Sequence, residues 1–291
     1  MAEPWTAIPA GPHDIRLVVC DMDGTLLTSV GAVPESFWQL LREMSRRGIT
    51  FVPASGRQHA TLVELFEDGR NDGMSFVAEN GSLVTHRGEV VSRTTLDDDA
   101  VDSVIDIVRT ATDTESTNAS TTGPGSSADL GLVVCGVRSA YIERSDADFV
   151  AEARKYYAKL EIVDDVRAVS DDVLKLAVFD FADAEHTAQT LFGSVGKTNQ
   201  VVVSGRHWFD IMSPGIDKGI GVRALQETLG VDAASTAVFG DYLNDLEMLG
   251  TGEWSFAMAN AHPDIKTAAR FVAPANTDDG VVTVLQHLLG V

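Results

Sequence analysis

The sequence predicts an α/β protein in which a second, α+β domain is inserted into a parallel-sheet core. Three observations favour this class. Short apolar strands alternate with amphipathic helices near the start of the chain, and the same alternation returns near its end. The stretch between these two parts has a different order of predicted elements, with a hairpin pattern and a long polar segment. Because strands joined through helices run parallel with right-handed crossovers, we expect the two ends to share one sheet.

The first core segment is expected to cover residues 15–85. Its apolar runs are rich in β-branched residues, and its first helical pattern opens at Pro34 and ends at Gly48. The expected elements are a strand at 15–20, a helix at 34–48, a strand at 49–55, a helix at 59–68 and a strand at 74–80.

The middle module is expected to cover residues 86–205 and to form the inserted domain. It opens on a hairpin pattern around Arg87 and Gly88. Residues 111–129 are rich in Ser, Thr and Gly and have no apolar face, which predicts a flexible loop. The other expected elements are a helix at 96–111, a strand at 130–137, a helix at 146–160, a strand at 173–181 and a helix at 184–196.

The second core segment is expected to cover residues 206–291. It repeats the alternation with strands at 207–214, 235–241 and 254–260 and with helices at 218–230, 243–250, 262–271 and 278–289. At the other end of the chain, residues 1–14 lack the basic and apolar regions of a secretory signal. We expect these residues to form a loose N-terminal extension.

The charge and cysteine content of the chain restrict the kinds of molecule that it is expected to bind. The chain has 291 residues and a formal net charge of -21, which repels polyanions and argues against binding to nucleic acid or to an anionic membrane surface. An acidic surface is also typical of salt adaptation. Cys20 and Cys135 are the two cysteines, too few for a disulfide framework. We therefore expect a cytoplasmic protein, a monomer or a homodimer, whose partner is a small molecule.

Polar residues gather where the expected strands end. In open parallel sheets, ligands bind beyond the carboxyl ends of the strands, so these residues are the candidates for a site. They are Asp21 and Asp23 after the first strand, Ser55, Gly56 and Arg57 after the second, Asn80 after the third, Asp241, Asn244 and Asp245 after a later one, and Lys218 at the start of the preceding helix.

The carboxylates predict a metal ion. Asp21, Asp23 and Asp241 would repel one another if they met, and a hard divalent cation removes that conflict. Mg²⁺ is favoured, because it accepts a few carboxylates, several waters and a substrate phosphate. Lys218 then has a reason to lie close by, since an ammonium holds a phosphoryl oxygen that the metal does not reach.

Four segments together resemble one known family. DMDGTLL, ASGR, GIDKGIGV and GDYLNDLEML, in this order and at these spacings, are similar to the four motifs of the haloacid dehalogenase-like superfamily. The closest resemblance is to Cof-type phosphatases of its subfamily IIB. It implies a Rossmann-like parallel-sheet core with an inserted α/β cap domain, and it covers nearly the whole core.

The resemblance also implies roles for the acids. Asp21 would be the nucleophile that forms an aspartyl-phosphate, and Asp23 would protonate the leaving group and then deprotonate water. Dehalogenases lack an acid at the second position, so Asp23 favours phosphate chemistry. Mg²⁺ would be bound by the Asp21 carboxylate, the Asp23 backbone carbonyl and Asp241. Asp245 would support these ligands without binding the ion itself.

The remaining motif residues would hold the phosphoryl group. Gly24 and Thr25 would turn backbone N–H groups towards it, and Ser55, Gly56, Lys218 and Asn244 would contact it. Ser55 is also a candidate helix cap. Arg57 is either a phosphate contact or the partner of a structural ion pair, and both readings stay open. Asn80 and Asn276 match positions that approach the phosphate in the family, although an Asn-Gly pair is also a common turn.

These motifs predict a Mg²⁺-dependent phosphatase acting on a small phosphomonoester, such as a sugar phosphate or a phosphorylated cofactor. Two alternatives remain at this stage. A phosphomutase of the phosphomannomutase type shares the first motif but protects its aspartyl-phosphate from water. A non-catalytic metabolite-binding protein would keep the fold without turnover.

Overall fold

The computed structural model describes residues 2–67, 73–113 and 128–291. The chain divides into two compact units, a core formed by Met1–Arg93 and Asp217–Val291, and an inserted unit formed by Thr94–Ile216. Of the loop predicted at 111–129, residues 114–127 lie outside the described residues.

The described elements alternate between strands and helices for most of the chain. The strands are β1 (Glu3–Pro4), β2 (Leu17–Asp21), β3 (Thr50–Ala54), β4 (Ser75–Ala78), β5 (Leu83–His86), β6 (Glu89–Arg93), β7 (Leu130–Gly136), β8 (Ala140–Ile142), β9 (Leu160–Ile162), β10 (Val173–Asp180), β11 (Gln200–Val203), β12 (Trp208–Met212), β13 (Thr236–Gly240), β14 (Trp254–Met258) and β15 (Phe271–Ala273). The helices are α1 (Glu35–Arg46), α2 (His59–Leu65), α3 (Asp98–Asp113), α4 (Ala147–Ala153), α5 (Ala184–Thr190), α6 (Lys218–Leu229), α7 (Leu246–Leu249), α8 (Pro263–Ala268) and α9 (Gly280–Leu289).

The core is built on a nine-stranded sheet in the order β1-β15-β14-β13-β2-β3-β4-β5-β6. Neighbouring strands from β1 to β4 in this order are parallel, and β5 and β6 add an antiparallel edge. All five residues of β2 are buried, as expected for a strand covered on both faces. The predicted α/β class with a parallel-sheet core is confirmed.

Two strands belong to a different unit from the one predicted. The sequence put the unit boundaries after residues 85 and 205, whereas the structure puts them after Arg93 and Ile216. β6 pairs with β5, which pairs with β4, so β6 extends the core sheet. β12 pairs with β10 and β11, so it belongs to the inserted unit. An apolar alternation shows which face of a strand is buried, and it does not show which sheet supplies its neighbours.

The first residues of the chain are attached to the core, which corrects the prediction of a loose extension. β1 pairs in parallel with β15 at the edge of the sheet. Further along, the backbone N–H groups of Gly11 and His13 donate to the carbonyls of His287 and Leu288 at the end of α9. These bonds satisfy carbonyls that a helix end leaves without partners.

The inserted unit contains a six-stranded sheet in the order β11-β12-β10-β7-β8-β9. Its strands are antiparallel except for the β8–β9 pair. One face packs an apolar cluster that includes Val104 of α3, Ala188 of α5 and Leu176 of β10. The opposite face packs Phe149 of α4 against Ala177 and Phe179. Each face of this sheet thus has its own apolar core. Among the helices that the structure describes, none is long and apolar enough to cross a membrane.

Candidate active site

The turn after β2 presents the two acids of the first motif. Met22–Leu26 form a tight turn, closed by a hydrogen bond of 2.8 Å from the Leu27 N–H to the Met22 carbonyl. Gly24 adopts φ +80°, and a Cβ added there would lie 2.4 Å from Oδ2 of Asp241. The turn therefore requires glycine at this position for two reasons, its positive φ and its close approach to the side chain of Asp241.

Lys218, the first residue of α6, joins two of the motif loops. Its Nζ lies 2.5 Å from Oδ1 of Asp21 and 2.6 Å from Oδ1 of Asp245. All three side chains are buried. The other oxygen of Asp245 accepts the backbone N–H groups of Asp241 at 2.9 Å and Tyr242 at 3.1 Å. Asp245 thus holds both the lysine and the loop that carries Asp241. Its supporting role towards a metal ion stays a prediction.

Three carboxylates converge beside this lysine. Asp21, Asp241 and Asp245 each offer an oxygen, and these oxygens lie within 4.8 Å of one another. The hydroxyl of Thr25 donates to Oδ1 of Asp241 at 2.9 Å, which fixes the rotamer of that acid. Carboxylate oxygens at this spacing are the donor set that hard divalent cations such as Mg²⁺ prefer, so the residues present fit the predicted ion.

The electrostatics of the cluster show why a cation suits it. Burial raises the pKa of Asp21 well above its ordinary value, and repulsion from Asp245 adds to this. The pKa of Asp241 rises to about 6 for the same two kinds of reason, burial first. Burial opposes the charge on Lys218, but attraction to Asp21 and Asp245 outweighs it and leaves the pKa of this lysine raised. One ammonium does not neutralise three carboxylates, and a divalent cation would supply the missing positive charge.

Asp23 and Arg57 form a separate pair. Nε and Nη2 of Arg57 donate to Oδ2 and Oδ1 of Asp23 at 2.8 and 2.6 Å. The Asp23 side chain is 59% exposed and is not one of the three clustered carboxylates. The predicted metal contact of Asp23 was its backbone carbonyl, and that contact stays a prediction. The Ser55 hydroxyl accepts the backbone N–H of Arg57 at 3.2 Å. Because α2 begins at His59 with Gln58 as its N-cap, the prediction that Ser55 caps this helix is wrong.

The turn after β4 contacts the same region. Nδ2 of Asn244 donates to Oδ1 of Asn80 at 3.3 Å, and a Cβ added at Gly56 would lie 3.0 Å from the Asn80 amide. Asn80 has φ +54° and follows Glu79 at φ +50°. Two consecutive non-glycine residues in the left-handed region indicate strain that the surroundings maintain.

Two asparagine side chains donate hydrogen bonds to backbone carbonyls at the turn of the first motif. Nδ2 of Asn260 donates to the Gly24 carbonyl at 2.8 Å, and Nδ2 of Asn276 donates to the Leu27 carbonyl at 2.9 Å. Asn276 was a candidate for the phosphate region, and the structure places its amide on the backbone of this turn. Asn260 was missed, because a single asparagine after a strand carries no spacing signal.

A family model for haloacid dehalogenase-like hydrolases matches residues 18–285. The chain belongs to the haloacid dehalogenase-like hydrolases. The match spans both core segments and the inserted unit, so the resemblance drawn from the four motifs is confirmed. The inserted unit lies between the two core segments along the chain.

Relatives of this hydrolase are named phosphatases. It is 32% identical over 279 residues to the 5-amino-6-(5-phospho-D-ribitylamino)uracil phosphatase YbjI of Escherichia coli K12, covering 94% of this chain and 96% of the relative. It is 23% identical over 275 residues to the phosphatase YcsE of Bacillus subtilis 168, named for the same compound, covering 94% and 96%. This haloacid dehalogenase-like hydrolase is an enzyme, a phosphatase of small phosphorylated substrates.

Solved structures share the fold. The haloacid dehalogenase subclass IIB sugar phosphatase BT4131 superposes with a TM-score of 0.73 at 19% identity, covering 94% of this chain and 98% of that one. The predicted architecture, a parallel-sheet core interrupted by an inserted unit, is therefore shared with this solved structure.

Proposed function

We propose that this hydrolase is a Mg²⁺-dependent phosphatase that cleaves a small phosphomonoester through an aspartyl-phosphate on Asp21. The observation that carries the proposal is a cluster of three carboxylates, two of which bind the buried ammonium of Lys218. Asp21, the Asp23 carbonyl and Asp241 would hold the ion. When bound, Mg²⁺ supplies positive charge that shields the anionic phosphate from the anionic nucleophile.

Two displacements make up the reaction. In the first, an oxygen of Asp21 bonds to phosphorus, the bond to the leaving oxygen breaks, and Asp23 gives its proton to that oxygen. In the second, water attacks the same phosphorus, the bond to Asp21 breaks, and Asp23 takes the proton of the water. Lys218 stays in place through both steps and stabilises charge on the phosphoryl oxygens.

The other motif residues orient the phosphoryl group. We expect the backbone N–H groups after Gly24, the hydroxyl of Ser55 and the amide of Asn244 to contact its oxygens. Thr25 contributes through its hydrogen bond to Asp241, which holds that acid in place for the ion.

For the substrate, we propose a phosphorylated sugar or sugar alcohol. Two relatives that align along nearly the whole chain are named for 5-amino-6-(5-phospho-D-ribitylamino)uracil. This compound carries a phosphate on a five-carbon polyol and is the first candidate to test. The cytoplasmic location and the monomeric or dimeric state stay predictions.

A phosphate-release assay tests the proposal. Purified protein with Mg²⁺ is offered a panel of phosphomonoesters that includes this compound, and we expect turnover that EDTA abolishes and Mg²⁺ restores. Asp21→Asn and Asp23→Asn should both lose activity by at least about 100-fold, because each removes a group that reacts. Asp148→Asn, an exposed change in the first turn of α4, is the matched control and should leave activity intact.

Two results would contradict the proposal. Activity retained in Asp21→Asn, after contaminating phosphatase is excluded, would remove the nucleophile. Turnover that requires an added sugar bisphosphate and releases no phosphate would identify a phosphomutase instead.

A further inference from the structure

The contact between Arg57 and Asp23 is a two-point ion pair. Nε and Nη2 of Arg57 each donate to a different oxygen of Asp23, at 2.8 and 2.6 Å. A planar guanidinium that meets a planar carboxylate through two parallel bonds fixes the orientation of the carboxylate as well as its distance. A lysine at this position would fix the distance alone.

The loop that carries Arg57 is anchored at both sides of the residue. Its backbone N–H donates to the Ser55 hydroxyl, and its carbonyl accepts the backbone N–H of Glu79, both at 3.2 Å. The side chain of Arg57 is 25% exposed, whereas that of Asp23 is 59% exposed. The better-held partner is therefore the arginine, which is able to impose an orientation on the acid.

Asp23 depends on this contact for its orientation. Among the residues that the structure describes, Arg57 is the one hydrogen-bond partner of the Asp23 carboxylate. The nucleophile Asp21 is different, because the buried Lys218 holds it. Without Arg57, the exposed Asp23 side chain would exchange among its rotamers, and a smaller fraction would face a leaving group.

We infer that Arg57 is a positioning residue that orients Asp23 for proton transfer, and that it is not a phosphate contact. The inference rests on the proposed function, since it assigns a partner to the acid–base group of that reaction. Of the two roles that the sequence left open for Arg57, it favours the ion pair over the phosphate contact.

The two readings predict different kinetics. A phosphate contact would strengthen binding of substrate and of inorganic phosphate alike. A positioning residue affects only the steps in which Asp23 transfers a proton. These steps are the departure of an alkyl alcohol and the attack of water. p-Nitrophenolate is a good leaving group that departs without a proton, so formation of the aspartyl-phosphate from p-nitrophenyl phosphate should not need Arg57.

The experiment compares three variants of the full-length protein with Mg²⁺. Arg57→Met removes both hydrogen bonds to Asp23. Arg57→Lys keeps the positive charge but cannot form two parallel hydrogen bonds to the carboxylate. Arg47→Met is the matched control, since Arg47 also donates to an acid, Glu43, at 2.7 Å, but lies at the end of α1 outside the site. Readouts are kcat and KM on an alkyl phosphate, the burst of p-nitrophenol, and inhibition by inorganic phosphate.

For Arg57→Met we expect kcat on the alkyl phosphate to fall about 10- to 100-fold, part of the usual effect of a positioned acid–base group. KM and the inhibition constant of phosphate should stay within about twofold, and p-nitrophenol should still appear in a fast burst followed by slow turnover. Arg57→Lys should recover less than half of the loss on a logarithmic scale, and Arg47→Met should behave as the wild type.

A double-mutant cycle closes the test. If Arg57 acts through Asp23, adding Arg57→Met to Asp23→Asn should change kcat by less than about twofold. An equal loss in both backgrounds, or phosphate inhibition weakened tenfold by Arg57→Met, would overturn the inference and leave the proposed function standing. Wild-type protein that releases no phosphate from any ester would overturn the proposed function, and the inference with it.

Discussion

Asp241→Asn is predicted to stabilise the protein when no metal is bound. In the metal-free fold the pKa of Asp241 is raised from 3.8 to about 6, first by burial and then by the charge of Asp245. Between these two values the folded state keeps a proton that the unfolded chain has lost. The free energy of unfolding therefore falls as pH rises through this window, and above it the whole penalty is present. The raised pKa of Asp21 acts in the same direction.

The size of the effect follows from the shift. About two pKa units correspond to about 3 kcal/mol, which we halve to about 1.5 kcal/mol because the Asp241 side chain is partly exposed to solvent. For a chain of 291 residues, that is a change in Tm of about 2–3 °C. An asparagine oxygen still accepts the bond from Thr25, so the variant removes the charge and keeps the contact.

Calorimetry in EDTA and in Mg²⁺, at pH 5 and pH 7.5, measures this. At pH 7.5 in EDTA we expect Asp241→Asn to melt above the wild type and Asp148→Asn to melt with it. Mg²⁺ should raise the wild-type Tm more at pH 7.5 than at pH 5, because protons compete with the ion, and should raise that of Asp241→Asn least. A wild-type response to Mg²⁺ that is equal at both pH values would refute the reasoning, as would equal melting of Asp241→Asn and wild type in EDTA.

Three further changes have defined outcomes. Lys218→Met should lower kcat about 10²- to 10³-fold in steady-state assays at saturating Mg²⁺, since a buried positive group at the phosphate is lost; activity within tenfold of wild type would contradict this. Gly24→Ala should weaken Mg²⁺ binding about tenfold in calorimetric titration, because its Cβ would lie 2.4 Å from Oδ2 of Asp241; unchanged affinity would show that the turn adapts. Thr187→Val should cost about 1–3 kcal/mol in urea unfolding without changing kcat, because it leaves the buried Asp180 without the 2.6 Å bond to its Oδ2; equal stability would exclude that bond.

Long buried strands were the most predictable part of the fold. β2, β3 and β13 are continuous apolar runs, and their burial on both faces leaves a clear signal. β8 and β9 have three residues each and were missed, because three residues are too few to show a period. The unit to which β12 belongs was also mispredicted, since strand pairing across the chain is not encoded in local pattern.

Some contacts of the candidate site could be predicted from the sequence, and others could not. The meeting of Asp21, Asp241 and Lys218 follows from strand ends that share one edge of a parallel sheet, and the structure brings these side chains together. The pairing of Arg57 with Asp23 depends on side-chain rotamers of two loops. Sequence pattern specifies where a loop begins, and packing among loops then decides which polar atoms meet.

The discontinuity of the core has a consequence for synthesis on the ribosome. Thr25 and Asp241, which are joined by a hydrogen bond, are 216 positions apart in the chain. Six of the nine strands, β1 to β6, therefore emerge while β2 lacks its partner β13, and the whole inserted unit is translated before that partner appears. We therefore expect the nascent chain to be inactive until Asp241 has left the exit tunnel, with one edge of β2 unpaired until then.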